Sequence, residues 1–124
     1  MLISITLKKM ALSEQQQVWV ERRIQFALGR FVARIRRVSA IFSDINGARG
    51  GVDKKCRLRI SLIPSGEVVV DDVDKSVETA AANATERAAR SVARMLERLR
   101  DTRPEAEQVI YVRGRRSPPE GIDG

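Results

Sequence analysis

Histidine is absent from the 124-residue sequence, and Cys56 is the single cysteine. The usual zinc sites, the Ser-His and Cys-His nucleophile pairs and the commonest general base are therefore excluded, and no internal disulfide can form. No nucleophile, base and orienting partner can be assembled from the remaining side chains. We expect no enzymatic activity, no metal or other cofactor and no small-molecule substrate.

Long apolar runs and aromatic residues are also scarce. Aromatic residues make up 4% of the chain. No stretch approaches the roughly 20 apolar residues that a membrane-spanning helix requires, so we expect no membrane role. The sequence starts without a charged and then apolar leader, and a lone cysteine suits a reducing compartment. A cytoplasmic protein is expected.

Basic residues are abundant and outnumber acidic ones by 23 to 16, with a sequence pI of about 10.5. Residues 1–50 hold nine lysines and arginines against three acids, residues 51–100 ten against eight, and residues 101–124 four against five. The excess therefore lies in the part that should fold rather than in the tail. Such a basic surface is typical of proteins that bind polyanions, and nucleic acid is the first candidate.

Two long amphipathic helices are predicted. The first begins at Ser13, where a Ser-x-x-Gln capping box satisfies two backbone N–H groups, and it runs to about Ile35. The second is capped by Asp74 or Ser76 and runs to about Arg100. Both helices carry apolar residues at spacings of three and four, which places those residues on one core-facing side.

Alternation of apolar and polar residues predicts a four-stranded sheet. In its clearest strand, 55–62, apolar residues alternate with cations, so that one face is apolar and the other basic. The other predicted strands are 2–8, 38–42 and 67–70. The order β-α-β-β-β-α predicts an α+β, two-layer sandwich, in which a mostly antiparallel sheet packs both helices on one face.

A chain of this length suits one domain, which we expect to span residues 1–102. Beyond it the composition turns to Pro, Gly, Arg and Glu. Residues 103–124 are therefore expected to be a mostly unstructured tail, apart from a candidate short strand over 108–112.

Arginine and aromatic side chains share a flank of the first predicted helix. The residues within about 60° of one another on that flank are Arg23, Arg30, Arg34 and Arg37, with Trp19 and Phe26 beside them. Guanidinium groups bind phosphate and stack on bases, so this combination suits RNA. The alternative is that the two rings widen the core between the helices, and this is what we expect of Trp19 and Phe26.

A second row of cations lies on one flank of the second helix, at Arg87, Arg90, Arg94 and Arg98. Such a row is either a solvated face or a phosphate-binding surface, and we favour phosphate binding because only two glutamates lie nearby. The strand cations Lys55, Arg57 and Arg59 could equally form an ordinary wet sheet face. The carboxylates Asp71, Asp72 and Asp74 are expected to serve caps and turns before the second helix rather than to hold a metal.

The whole pattern over about residues 1–100 resembles a divergent, short form of the ribosome hibernation-promoting factor and ribosome-associated inhibitor A family. The motifs that carry the likeness are Asp44-x-Asn46-Gly47, Gly50-Gly51-x-Asp53-Lys54-x-Cys56-Arg57, the Gly66 turn and the Arg- and Ala-rich helix after Asp74. Two features depart from the family pattern. The second helix opens with Val77-Glu78-Thr79-Ala80, where the family has an aromatic residue and an Ala-Ile-Asp run. The second domain of long members is also lacking. We expect no pairing of ribosomes through such a domain.

The resemblance implies a non-enzymatic protein that binds 16S rRNA of the small ribosomal subunit in the channel used by mRNA and tRNA. There it would block translation during stress. The rRNA contacts that it implies are Arg23 and Arg30 on the first helix and Arg87, Arg90, Arg94 and Arg98 on the second, with Lys54, Lys55 and Arg57 as looser matches.

Two other functions fit the same residues. One is a general binding module for double-stranded or structured RNA, which the α+β layout and the basic helix flanks permit. The other is a protein-interaction adaptor whose charge accelerates encounter with an acidic partner.

Overall fold

The computed structural model describes residues 1–45, 54–101 and 109–112. The elements are β1 (Leu2–Lys8), α1 (Glu14–Leu28), a 3-10 helix (Gly29–Arg34), β2 (Ile35–Asp44), β3 (Lys54–Leu62), β4 (Glu67–Asp74), α2 (Val77–Asp101) and β5 (Val109–Val112). The predicted α+β class and β-α-β-β-β-α order are confirmed. The Gly-rich motif at 46–53 lies outside the described residues, as does most of the predicted tail.

The strands form one mixed sheet in the order β1-β2-β3-β4-β5. The β2–β3 and β3–β4 pairs are antiparallel, whereas β1 runs parallel to β2. The candidate strand over 108–112 is present as β5, which pairs in parallel with β4 and adds a fifth strand beside the four predicted ones. The basic strand β3 therefore lies at the centre of the sheet.

One face of the sheet carries the core, and both helices cover that face. Inward residues of β2, β3 and β4 form a single buried cluster with Val20, Ile24 and Leu28 of α1 and with the alanines and Met95 of α2. The small alanine side chains let α2 lie close to the sheet. The opposite face, which we call the outer sheet face, carries the alternate residues of the strands and is free of helices among the described residues.

The predicted start of α1 is confirmed. The Ser13 Oγ accepts a hydrogen bond from the Gln16 backbone N–H at 3.1 Å, and the Gln16 Oε1 accepts one from the Ser13 N–H at 2.9 Å. This reciprocal capping box satisfies two N–H groups that have no partner within the helix. The box thereby fixes where the apolar stripe of α1 begins.

The predicted end of α1 is wrong. The helix ends at Leu28, a 3-10 helix follows, and Ile35 is the first residue of β2, where it pairs with Leu62. Ile35 fits a helical spacing, but Gly29 weakens the helix. Pairing with β3 makes β2 begin at Ile35, before the predicted strand. Consequently the predicted flank of four arginines does not form: Arg34 donates from Nε to the Ile63 carbonyl at 2.9 Å, and Arg37 lies in β2.

The predicted end of β4 and the role of two carboxylates are also wrong. β4 continues to Asp74, so that Asp71 and Asp72 are strand residues opposite Arg57 and Cys56 of β3. The cap of α2 is Ser76, whose Oγ accepts from the Thr79 N–H at 3.0 Å. Two acidic residues remain in a strand because each finds a cation: Asp71 on the outer sheet face and Asp72 beneath α2.

Candidate nucleic-acid interface

A cleft of about 300 Å³ lies between the two helices. We call it the interhelical cleft; its lining residues are Arg23, Phe26, Ala27, Arg30, Thr85, Glu86 and Ala89. Two of the predicted RNA-binding residues, Arg23 and Arg30, are thus brought together on the α1 side. Ala27 and Ala89 leave this space open, because they have almost no side chain with which to fill it.

Phe26 is 85% exposed and Trp19 is 37% exposed. The expectation that these rings extend the core is therefore wrong. The buried stripe of α1 runs through Val20, Ile24 and Leu28, and at 100° per residue Phe26 lies about 200° from Ile24, on the far side of that stripe. The ring of Phe26 instead stands at the rim of the interhelical cleft.

Arg30 is oriented by an aromatic neighbour. Its guanidinium carbon lies 4.6 Å from the centroid of the Phe31 ring, within the distance at which the π-face attracts a cation. Phe31 is itself half-buried against the core. This contact restrains the Arg30 side chain, and among residues 1–45 and 54–101 Arg30 forms no ion pair, which favours binding of an anion.

The four arginines of α2 divide by their surroundings. Arg90, Arg94 and Arg98 are exposed, whereas the Arg87 side chain is only 16% exposed and its Nη2 lies 3.5 Å from the Asp72 Oδ1. Asp72 is fully buried, and its Oδ2 also accepts from the Asn83 Nδ2 at 3.2 Å. Arg87 therefore connects α2 to β4 and has less of its charge available to a ligand than Arg90 or Arg94.

The two helices do not present one continuous cationic surface. Helical geometry places Arg87, Arg94 and Arg98 on the flank of α2 toward β4, as the Arg87–Asp72 contact requires. Thr85 and Ala89, which line the interhelical cleft, occupy the other flank. The exposed ridge of α2, which carries Arg90 beside Glu86 and Glu97, lies between the two flanks. A ligand that reaches both groups of arginines must cross this ridge.

Lys55 and Arg57 lie on the outer sheet face, away from both helices. A groove of about 190 Å³ there is lined by Lys8, Ile41, Ser43, Lys55, Arg57 and Arg59. Arg57 forms a bidentate pair with Asp71, at 2.7 Å from Nε to Oδ1 and 2.9 Å from Nη2 to Oδ2. The Arg59 Nε lies 3.3 Å from the Glu67 Oε2. Lys54 lies at the start of the same strand, where its Nζ is 3.3 Å from the Asp44 Oδ2. The nine predicted contacts thus fall on three separate surfaces: the interhelical cleft, the arginine row of α2 and the strand β3.

Residues 3–100 match the model of the family described as "Sigma 54 modulation protein / S30EA ribosomal protein". The chain belongs to this family. Its members are ribosome-associated modulation proteins rather than enzymes, and the resemblance to hibernation-promoting factors is confirmed. No match was found among the curated proteins.

Two solved structures share the fold of this S30EA-family domain. One is the N-terminal domain of Protein Y from Thermus thermophilus, with a TM-score of 0.63 and 19% identity over 77% of this chain and 99% of that chain. The other is a ribosomal subunit interface protein from Coxiella burnetii, with a TM-score of 0.65 and 14% identity over 78% and 99% of the two chains. At these identities the likeness establishes the fold alone.

Sequence reasoning missed two features of this S30EA-family domain. The first is Lys8 of β1, which joins the cations of the outer sheet face; strand alternation places it there only once the β1–β2 register is known. The second is the exposure of Phe26. The helical spacing of Phe26 from Ile24 could have indicated it, had the stripe of α1 been drawn through Val20, Ile24 and Leu28 alone.

Cys56 is a core residue of the family domain, not a reactive thiol. It is completely buried on the helix-facing side of β3. Burial raises the pKa of the Cys56 thiol, and the nearby carboxylates of Asp72 and Asp71 raise it further. Among the described residues no group of three or more Cys, Asp and Glu side chains could hold a metal ion, and no helix there is long and apolar enough to cross a membrane.

Proposed function

We propose that this S30EA-family domain binds 16S rRNA of the small ribosomal subunit in the mRNA and tRNA channel and thereby inhibits translation. The observation that carries the proposal is the exposed pair Arg90 and Arg94 on α2. Within residues 1–45 and 54–101 neither forms an ion pair. Two exposed guanidinium groups one helical turn apart, without an ion pair in those ranges, suit the phosphate backbone of a structured RNA.

Support for the ribosome as the source of that RNA comes from family membership. The inhibition needs no chemistry, because a folded domain seated in the channel excludes mRNA and tRNA sterically. The same rigid sheet that supports both helices would hold the cations in position, so little ordering would be required on binding. Arg23, Arg30 and Arg98 are proposed as further phosphate contacts, Arg87 as a weaker one that chiefly positions α2, and Lys54, Lys55 and Arg57 as peripheral ones.

The test is cosedimentation of the full chain with isolated small subunits across a salt series. We expect binding that weakens steeply as salt rises, since each phosphate contact releases counterions. The variant Arg90→Gln/Arg94→Gln should reduce the slope of log K against log salt by about two. Its matched control is Arg36→Gln/Lys75→Gln, which removes the same charge from two other exposed positions and should change the slope by less than half as much.

Failure to cosediment at low salt would refute the proposal. Preloading the subunits with mRNA and tRNA should block binding, and undiminished binding to preloaded subunits would exclude the channel as the site. Equal affinity for any duplex RNA would favour the general RNA-binding module. Binding that survives charge reversal at Arg87, Arg90 and Arg94 would favour the protein adaptor.

A further inference from the structure

Phe26 presents almost its whole ring to solvent at the rim of the interhelical cleft. A single exposed apolar residue is common on protein surfaces and by itself indicates nothing. Phe26 differs from the exposed residue Val32, which is 51% accessible, because it belongs to a cleft with charged walls. What the ring could contact therefore depends on the groups around it.

Two arginines line the cleft on either side of the ring in the chain. Arg23 precedes Phe26 by three residues in α1, a spacing at which side chains on a helix are neighbours, and Arg30 lies in the following 3-10 helix and lines the same cleft. The Arg30 guanidinium is restrained by its contact with the neighbouring Phe31 ring. An apolar π-face thus lies between two cations, one of which is already oriented.

The opposite wall of the cleft has the reverse character. Glu86 and Thr85 of α2 lie there with Ala89. Thr85 is 1% exposed and its hydroxyl donates to the Ala82 carbonyl at 3.0 Å, so the exposed Glu86 carboxylate supplies the acceptor of this wall. A carboxylate repels phosphate and accepts hydrogen bonds from N–H groups. The cleft therefore favours anions on the α1 side and N–H donors on the α2 side.

A nucleotide has both kinds of group. We propose that the interhelical cleft holds one unpaired nucleobase of an RNA, stacked on Phe26, with its flanking phosphates on Arg23 and Arg30 and its amino edge toward Glu86. This inference rests on the proposed RNA-binding function and adds a second mode of recognition to it. An acidic peptide would satisfy the arginines but offers no flat face for the ring and no reason for Glu86.

The size of the cleft limits what enters it. About 300 Å³ lies at the lower end of the range for small-ligand sites. A base within a duplex is stacked on its neighbours and cannot cover the ring, whereas bases of loops, bulges and single strands can be splayed out onto aromatic side chains. The site therefore selects unpaired RNA, while the arginine row of α2 contacts backbone of either kind.

The experiment measures binding of the full chain to a 12-nucleotide single-stranded RNA, a 12-base-pair duplex RNA, protein-free 16S rRNA and isolated small subunits. Phe26→Ala should weaken binding to the single strand by about 5- to 150-fold, the range for loss of one stacked base. Binding to the duplex should be unchanged. The loss should be the same at every salt concentration, because no phosphate contact is removed.

Matched variants separate stacking from apolar contact. Phe26→Tyr keeps an aromatic face and should bind as the wild type does, whereas Phe26→Leu should behave like Phe26→Ala. Val32→Ala truncates another exposed apolar residue outside the cleft and should have no effect. Because Phe26 and Val32 are both exposed, all four variants should unfold at the wild-type temperature.

Equal affinities of Phe26→Ala and Val32→Ala for the single strand would overturn the inference while leaving the proposed function intact. So would a loss on intact subunits without a loss on protein-free 16S rRNA, since that would place a protein against Phe26. Absence of wild-type binding to small subunits, in contrast, would refute the proposed function itself.

Discussion

The helix layer and the outer sheet face both carry rows of arginine, yet their charges are in different states. On the outer sheet face Arg57 and Arg59 are paired with Asp71 and Glu67. On α2, Arg90 and Arg94 form no ion pair within the described ranges 1–45 and 54–101. A cation already bonded to a carboxylate must give up that partner to bind phosphate. The count of basic residues is therefore a poorer guide to a binding surface than their pairing.

The largest effect expected from this comparison lies within a single row. Arg87→Met should lower the free energy of unfolding by about 3 kcal/mol, because it removes a guanidinium that faces the buried Asp72 carboxylate. Arg94→Met removes the same kind of side chain from an exposed position of the same helix and should change it by less than about 0.5 kcal/mol. Urea unfolding of both variants measures the difference. Equal stabilities would show that Arg87 is not a structural residue.

The next prediction compares RNA binding by the two faces. Arg57→Gln/Arg59→Gln should lower the salt slope of small-subunit binding by less than about one, since both guanidinium groups face acids. The loss expected for Arg90→Gln/Arg94→Gln is about twice as large or more. Cosedimentation of both double variants under one salt series gives the ranking. A larger loss for the outer sheet pair would reverse the assignment of the two faces.

The two sides of β3 should also differ in chemical reactivity. The buried Cys56 thiol should not react with a disulfide reagent in the native protein, and it should react fully once the chain is unfolded. Lys55, on the other side of the strand and half-buried, should be acylated in the native state. Absorbance of the released thiolate and mass spectrometry measure the two rates. Rapid native labelling of Cys56 would mean that this part of the sheet opens readily.

The same thiol predicts a dependence of stability on pH. Its pKa is raised in the folded state, so its contribution is complete below the unfolded pKa of about 8.5 and is lost as the pH rises above that value, where only the unfolded thiol ionises. The loss should reach up to about 1.4 kcal/mol per pH unit. Unfolding curves at pH 8 and pH 9.5 measure it, and Cys56→Ala should flatten the dependence.

The smallest effect is expected for the outer ion pair Arg59–Glu67. Both side chains are partly exposed, so solvent screens their attraction. A double-mutant cycle with Arg59→Gln and Glu67→Gln should give a coupling of less than about 1 kcal/mol. A larger coupling would mean that the outer sheet face is less accessible to water than its burial indicates.

Features that depend on neighbouring residues in the chain were predictable. The capping box at Ser13, the alternation of β3 and the periodicity of α2 all rest on contacts over a few residues, and the structure contains each of them. The ends of α1 and β4 were not predictable in the same way. Ile35 leaves the helical pattern because β3 pairs with it, and Asp72 stays in a strand because Arg87 lies above it.

The candidate site divides along the same line. That Arg23, Arg30, Arg90 and Arg94 are helix-borne cations follows from spacing and charge, although Arg30 lies in the 3-10 helix rather than in α1. Spacing and charge do not show that Phe26 lines a cleft or that Arg87 connects α2 to β4. Both depend on which residues of other elements lie beside them. The prediction that Phe26 lies in the core assumed that an aromatic ring on an amphipathic helix is buried. The core cluster contains the alanines of α2 but not Phe26, whose ring is exposed.

By itself the sequence determined the class of fold, the order of its elements and the basic character of its folded part. Hydrophobic periodicity and capping act locally, and net charge is independent of conformation, so these properties need no tertiary information. Only the tertiary structure decided which cations are uncompensated and which aromatic ring is exposed. Ion pairing and burial depend on distances between residues that are remote in the chain, such as Arg57 and Asp71 or Phe26 and Glu86.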